Sequence, residues 1–189
     1  MSSVLPCRIV TVCTFQGDRS RAFTDAYNRA MDDDRKYGRG GPSIETCLHY
    51  AGHTGVSIDG RKTIYGFNPD PPSTRRISEV MDDLAAGLAF PGIVRDDTPI
   101  FAAATKNGLN VLSFEVLFPN ASFAAFEQSL KDEIAGTRYT YSFPDGNGDC
   151  NCTTWLERIG LPLLTGRMKE FTSLSEITWY PSRRFGECT

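Results

Sequence analysis

The stretch "TCLHYAGHTGVSIDGRKTIYGF", residues 46–67, decides the fold class of this chain. Apolar and β-branched residues lie on both sides of the turn signal Asp59-Gly60, and this pattern predicts two strands joined by a hairpin. Around the hairpin, segments of strand composition and segments of helical spacing follow one another without strict alternation. Such a mixture predicts an α+β fold in which an antiparallel sheet packs against helices.

The other elements are predicted from the same two patterns, strand composition and helical spacing of apolar residues. Runs of β-branched and apolar residues predict strands over 7–15, 99–105, 109–118 and 137–144. Apolar residues at helical spacing predict helices over 17–38, 77–90, 121–134 and 152–159. The tail, 171–185, is predicted to be irregular or strand-like, and "DDTPIF", 96–101, to begin as a solvated loop.

Composition limits the class of function. The chain has 189 residues, of which 40% are hydrophobic and 23% charged, as expected for one globular domain over 1–189. The net charge is −3 and the basic residues do not cluster, so we expect no nucleic-acid partner. No apolar run approaches the roughly 20 residues of a membrane helix, so we expect no membrane partner.

The N-terminus indicates where the protein is made. "MSSVLPCRIVTVCTF", 1–15, has no charged leader before an apolar core, so it does not resemble a secretory signal peptide. We therefore expect synthesis in a reducing cytoplasm, with the six cysteines mostly as free thiols. Export by a specialised secretion system needs no cleaved signal of this kind.

One cysteine lies where a helix is predicted to begin. In "GDCNCTTWLERIG", 148–160, Asn151 or Asp149 is the predicted cap, which places Cys152 at or near the first helical position. Free N–H groups and the positive end of the helix dipole would stabilise its thiolate, and the Cys152 backbone N–H could hold an oxyanion. The alternative interpretation is that Cys152 is a small buried core residue.

A thiol nucleophile needs a base. The chain has only two histidines, His49 and His53, and they lie four residues apart on a predicted strand, so they share one face. Imidazole is the side chain best suited to accept a thiol proton near neutral pH. A structural histidine held by a backbone hydrogen bond is the alternative.

Two segments together resemble a known group of enzymes. "GHTGVSIDGRKTIYGF", 52–67, is followed by "NCTTWLERIGLP", 151–162, so that Cys152 comes 99 positions after His53. This order is similar to that in the circularly permuted papain-like cysteine hydrolases, which include relatives of NlpC-type cell-wall peptidases, lecithin-retinol acyltransferase and PPPDE isopeptidases. The resemblance covers roughly 46–165 and leaves 1–45 as an N-terminal strand–helix extension to which it assigns no role.

The resemblance implies a permuted papain-like fold and assigns the reacting residues. Cys152 matches the nucleophile and His53 the general base, in a dyad or with a third polar residue that orients the imidazole. Tyr65 occupies the position of that residue if the hairpin has a three-residue turn. A two-residue turn instead puts Asn68 on the histidine face. No cofactor and no metal are implied.

The resemblance also suggests a substrate. We expect a cysteine amidase or peptidase that acts on peptidoglycan peptides, as a secreted antibacterial effector or toxin with an immunity protein as partner. The alternatives are an isopeptidase or deamidase acting on host protein, and an acyltransferase or thioesterase acting on protein or lipid. A different class is a non-catalytic binding module with structural thiols or zinc, although Cys150 and Cys152 with Cys47, His49 and His53 match no standard zinc spacing.

Overall fold

The computed structural model describes residues 7–143 and 148–161. The predicted tail and the first six residues lie outside the described residues. The elements, in chain order, are β1 (Cys7–Gln16), α1 (Arg21–Tyr37), α2 (Ile44–Ala51), β2 (Gly52–Ser57), β3 (Tyr65–Pro69), α3 (Ile77–Ala85), β4 (Phe90–Asp96), α4 (Thr98–Lys106), β5 (Val111–Pro119), α5 (Asn120–Gly136), β6 (Thr140–Tyr141) and α6 (Thr154–Arg158).

The six strands form one sheet in the order β5-β1-β2-β3-β4-β6. Every neighbouring pair of strands is antiparallel. The predicted α+β class, with an antiparallel sheet and helices, is therefore confirmed. The strand β1 lies inside the sheet, between β5 and β2. It therefore pairs directly with the first strand of the hairpin.

Local signals account for the helices that the sequence predicted. The Ser20 side chain accepts a hydrogen bond from the backbone N–H of Phe23 at the start of α1, and Gly38 ends that helix with a φ of 64°. The helices α3 and α5 also lie within or over their predicted ranges. In each of these helices the spacing of the apolar residues correctly predicted a helix, and in α1 the capping residues Ser20 and Gly38 mark its two ends.

Two predicted strand segments are helical. Residues 46–51 belong to α2, because Ser43 caps that helix by accepting from the N–H of Thr46, and the first strand of the hairpin begins only at Gly52. Residues 99–105 belong to α4, where Pro99 occupies the first turn and alanines follow. His49 therefore lies on a helix, and it does not share a strand face with His53.

One strand was not predicted at all. The helix expected over 77–90 ends at Ala85, and Gly87 adopts a φ of 79° just after it. Phe90–Asp96 then forms β4, which pairs with β3 on one side and β6 on the other. Pro91 and Gly92 lie in this strand, and both are poor strand formers, so the pairing with two neighbours determines its conformation.

The largest core cluster joins the sheet to α6. Trp155, which is fully buried, stacks on Phe67 of β3 with ring centroids 5.7 Å apart. Cys152 and Tyr141 belong to the same cluster. The predicted short helix is thus anchored in the core, and its first residues are fixed against the sheet. None of the helices in the described ranges is both long and apolar enough to cross a bilayer.

Candidate active site

His53 lies in β2, in the middle of the sheet, and is 0% exposed. In the antiparallel register it is opposite Phe15 of β1. Its ring packs between aromatic neighbours, with centroids 6.4 Å from Phe15 and 5.7 Å from Phe101. The imidazole is therefore held in one orientation away from water.

Cys152 lies in the turn that leads into α6. Asn151 closes this turn, because its side-chain oxygen accepts from the N–H groups of Thr153 at 2.9 Å and Thr154 at 3.0 Å. The Thr154 hydroxyl in return accepts from the Asn151 N–H at 2.9 Å. This is the reciprocal arrangement expected of Asn151 as a cap, although the regular helix begins only at Thr154. With five helical residues, the dipole of α6 is too short to be the main stabiliser of a thiolate.

The strand that bears His53 passes directly beside the start of α6. The hydroxyl of Thr153 donates to that of Thr54 at 3.2 Å, and Thr54 lies 3.0 Å from the hydroxyl of Thr14 on β1. Each of these threonines is buried. A row of hydroxyl groups therefore joins β1, β2 and the Cys152 turn, and it brings Cys152 next to His53.

The thiol of Cys152 and the imidazole of His53 interact. Each is among the groups that shift the pKa of the other. His53 Nδ1 makes no hydrogen bond of ordinary geometry, and Nε2 is already bonded elsewhere. Nδ1 is thus the ring nitrogen that remains for exchange of a proton with Cys152.

The other ring nitrogen is held by Asp97. Nε2 of His53 lies 2.8 Å from Oδ2 of Asp97, and both side chains are fully buried. A carboxylate only accepts hydrogen bonds, so Nε2 carries the proton and donates it. Asp97 is the residue before α4, and "DDTPIF" is therefore not simply a solvated loop, because its second acid points into the protein beside His53.

Asp97 is itself positioned by two donors. Asn68 Nδ2 donates to Oδ2 at 2.7 Å, and Arg95 Nε donates to Oδ1 at 3.2 Å. The backbone N–H of Asp97 also donates to the carbonyl of Ile64 at 2.8 Å. Asn68, predicted as an orienting residue, thus lies next to the carboxylate that contacts His53 and acts on the imidazole through Asp97.

Tyr65 lies on the opposite face of the sheet from His53. The pairs Gly55↔Gly66 and Val56↔Tyr65 set the register of the hairpin, and neither of the two predicted turns gives this register. In it, positions 53, 55, 66 and 68 share one face, while Tyr65 points to the other and packs against the main core. The assignment of Tyr65 as the orienting residue is therefore corrected: the loop between β2 and β3 is longer than either turn assumed.

The pKa values of the three groups follow from these contacts. Burial lowers the pKa of His53, but the hydrogen bond to Asp97 and the interaction with Cys152 outweigh it and raise the pKa to about 9. Burial raises the pKa of Cys152, yet His53 and the Thr54 backbone N–H bring it below the ordinary thiol value. Burial likewise opposes ionisation of Asp97, whereas His53, Asn68 and Arg95 hold its pKa low. The favoured state is thiolate, imidazolium and carboxylate.

A tyrosine that the sequence did not indicate, Tyr141, lies beside Cys152. The Tyr141 hydroxyl interacts with both the side chain and the backbone N–H of Cys152. Burial and the neighbouring Cys152 raise the pKa of Tyr141 well above its ordinary value, so the phenol stays protonated and can donate. The backbone N–H of Cys152 thus donates toward the Tyr141 oxygen, and the Tyr141 hydroxyl lies beside the thiol.

The remaining described thiols are in different environments. Cys13, Cys47 and Cys150 are free and buried, whereas Cys7 is disulfide-bonded. Burial and the nearby Asp149 raise the pKa of Cys150 to about 12, and burial raises that of Cys47 to about 11. Among the residues that the structure describes, no three His, Cys, Asp or Glu side chains are grouped to hold a metal ion. Cys152 differs from its neighbour Cys150 because His53 lies beside it.

Comparison with known proteins adds no further information to this geometry. No protein-family model, curated protein or solved structure matches the chain. The candidate site is therefore defined by its own contacts: Cys152, His53, Asp97, Asn68 and Tyr141. Asp97 had one local signal, since an acid before Thr-Pro commonly opens a helix. Its contact with His53 had none, because β3 and β4 separate the two in sequence.

Proposed function

We propose that this protein is a papain-like cysteine hydrolase, built on the permuted NlpC-type arrangement, that cleaves an acyl bond through an acyl-enzyme. The observation that carries the proposal is the buried series Cys152–His53–Asp97, in which each group shifts the pKa of the next toward its ionised form. An isolated core cysteine or a structural histidine needs no such partner.

The proton positions define the first step. Because the pKa of His53 is raised to about 9 and that of Cys152 is lowered, the proton resides on the imidazole before substrate arrives. The thiolate attacks the carbonyl carbon, and the carbonyl π electrons move onto oxygen. We assign that oxyanion to the Cys152 backbone N–H and the Tyr141 hydroxyl, which lie next to each other beside the thiol.

His53 then acts as the acid and afterwards as the base. It gives its Nδ1 proton to the leaving amine as the carbon–nitrogen bond breaks, which leaves a thioester on Cys152. Neutral His53 next takes a proton from water, and the resulting hydroxide attacks the thioester. Breakage of the carbon–sulfur bond releases the acid and restores the thiolate. Asp97 accepts the hydrogen bond from Nε2–H of His53 throughout the reaction, so that Nδ1 is always the ring nitrogen that faces the reacting atoms.

The substrate that the resemblance implies is a peptide of peptidoglycan, and the biological setting it implies is a secreted effector with an immunity protein. The test is direct. Purified peptidoglycan is incubated with the wild-type protein, with Cys152→Ala and with Cys150→Ala, and the fragments are analysed by mass spectrometry. We expect cleavage by the wild type and by Cys150→Ala and none by Cys152→Ala. Intact peptidoglycan in all three would overturn the cell-wall substrate.

The enzyme class is tested separately from the substrate. A thiol-reactive acyl probe, such as a peptidyl acyloxymethyl ketone, is expected to form one adduct at Cys152 and none in Cys152→Ala. Labelling of Cys150 or Cys47 at a similar rate would argue for a binding module with structural thiols. Folding of each variant is checked by circular dichroism, because Cys152 is 1% exposed and belongs to the main core.

A second candidate, a thioesterase or acyltransferase, has one specific observation in its favour. An apolar cleft that Tyr141 helps to line adjoins the site, and its aromatic and aliphatic lining suits a long aliphatic acyl group. Its ester or thioester substrates would use the same Cys152 thiolate and the same oxyanion donors.

A further inference from the structure

A cleft of about 350 Å³ lies next to the candidate site. Its lining is mainly aromatic and aliphatic and includes Tyr27, Met31, Leu48 and Leu84. This volume is at the lower end of the range for ligand pockets, roughly 300–1,000 Å³. The lining favours a medium-sized apolar group.

The charged residues at this cleft are largely neutralised. Arg35 and Asp82 both line it, and they pair with each other through Nη2 and Oδ1 at 2.7 Å. The guanidinium of Arg19 lies over the ring of Tyr50, 4.4 Å from the ring centroid. This cation therefore contacts an aromatic side chain that also lines the cleft. Of the charged residues that line the cleft, Arg19 is the one outside the Arg35–Asp82 pair, and most of the lining is aromatic or aliphatic.

Three chain segments connect this cleft to the candidate site. Ala51, two residues before His53, lines the cleft, and so does Pro69, which directly follows Asn68. Tyr141 lines it as well, and the hydroxyl of that tyrosine interacts with Cys152. A group bound in the cleft therefore lies against the residue that is placed to hold the oxyanion.

We propose that this cleft holds an apolar group of the substrate that adjoins the scissile carbonyl. The inference rests on the proposed function and narrows it to substrates with an aliphatic acyl chain or an apolar peptide side chain at that position. Burial of each further methylene favours binding by up to about fourfold, so turnover rises with chain length until the cleft is full.

The test uses a substitution that fills the cleft from its edge. Ala85 lines the cleft and is exposed at the end of α3, whereas the neighbouring Ala86 is exposed and is not among the lining residues. Ala85→Trp is the test variant and Ala86→Trp is the matched control. We expect p-nitrophenyl octanoate to be hydrolysed with a kcat/KM at least tenfold above that for the acetate. Ala85→Trp should remove this preference by lowering only the octanoate value, and Ala86→Trp should keep it.

The two sources of an apolar group are distinguished by a second series. Peptidyl aminomethylcoumarins with Leu or Asp next to the coumarin report whether a peptide side chain occupies the cleft. A Leu preference lost in Ala85→Trp assigns a peptide, and a chain-length effect confined to the esters assigns an aliphatic acyl group. Equal rates across both series in the wild type, or equal effects of the two Trp variants, would overturn the proposal.

A binding measurement on inactive variants tests the cleft separately from catalysis. The apolar fluorophore N-phenyl-1-naphthylamine is titrated into Cys152→Ala and into Cys152→Ala combined with either Trp substitution. We expect saturable binding that weakens at least tenfold with Ala85→Trp only. Binding without any Cys152-dependent hydrolysis would refute the proposed function and leave the cleft as an apolar site. Turnover without binding or a chain-length effect would refute the cleft alone.

Discussion

Asp97 accepts a hydrogen bond from His53 at 2.8 Å across 44 residues of sequence. The contact forms because β3 and β4 bring the start of α4 back against β2, and it occurs where both side chains are fully buried. Removing Asp97 leaves Nε2 of His53 without its partner in the core, whereas Asp97 also accepts from Asn68 and Arg95, so substitution of Asp97 is the most informative test of the site.

Asp97→Asn should lower kcat by roughly 10²–10⁴-fold with little change in KM, because an amide can hold the wrong imidazole tautomer. Asp96→Asn is the matched control, since the Asp96 side chain is exposed and accepts from the N–H and hydroxyl of Thr98 in the first turn of α4. The His53 pKa, followed by NMR of labelled histidine, should fall from about 9 in Asp97→Asn. An unchanged pKa would mean that Asp97 does not act on the imidazole.

Gly66→Ala should abolish activity. A Cβ at Gly66 would lie 1.9 Å from Oδ2 of Asp97 and 2.6 Å from Nε2 of His53, so the hydrogen bond between them has to break. Gly136→Ala is the control, since a Cβ there meets nothing within 4 Å. Kinetics and thermal unfolding of both variants are compared. Full activity of Gly66→Ala would show that the three residues are not as closely packed as described.

Tyr141→Phe should lower kcat about 10²-fold and leave KM nearly unchanged, because one of the two oxyanion donors is lost while the ring remains. Tyr139→Phe removes a hydroxyl that contacts Arg138 at the surface, and it should have no effect on kcat. A loss confined to KM would instead place the hydroxyl of Tyr141 in substrate binding.

The pH dependence follows from the direction of the two shifts. The pKa of Cys152 lies below the ordinary thiol value of 9.0, so iodoacetamide should alkylate it at a lower pH than an unperturbed thiol requires. Hydrolysis also needs protonated His53, so it should decline as pH rises through about 9. An alkaline decline near pH 6.5, the ordinary histidine value, would show that neither partner raises the pKa of His53.

Trp155→Ala should destabilise the protein by about 3–5 kcal/mol, since it empties a fully buried site. It also removes the stacking on Phe67 and the N–H that Glu133 accepts at 3.4 Å. Leu88→Ala, at a side chain that is 45% exposed, should change the free energy of unfolding by about 0.5 kcal/mol or less. Urea denaturation measures both, and similar values would contradict the anchoring of α6 in the core.

The sequence by itself determined the fold class and identified the candidate nucleophile, Cys152, and the candidate base, His53. Asn151 caps the Cys152 turn through local hydrogen bonds, and such signals need no tertiary context. His53 was identifiable because the chain has so few histidines and because Gly52–Ser57 has strand composition. Asn68 was reached only as one of two alternatives, since the length of the loop after β2 sets the register and its residues do not fix that length.

The tertiary structure decided which groups surround the thiol. Asp97 directly follows β4, and Tyr141 lies in the two-residue strand β6, which pairs with β4 although α4, β5 and α5 separate the two strands in the chain. Pairing between distant strands depends on packing and not on local propensity, so no local pattern could place a carboxylate on Nε2 or a phenol beside Cys152. The same pairing makes the site electrostatic, because the contacts between these partners outweigh the effect of burial and shift their pKa values toward an ion pair.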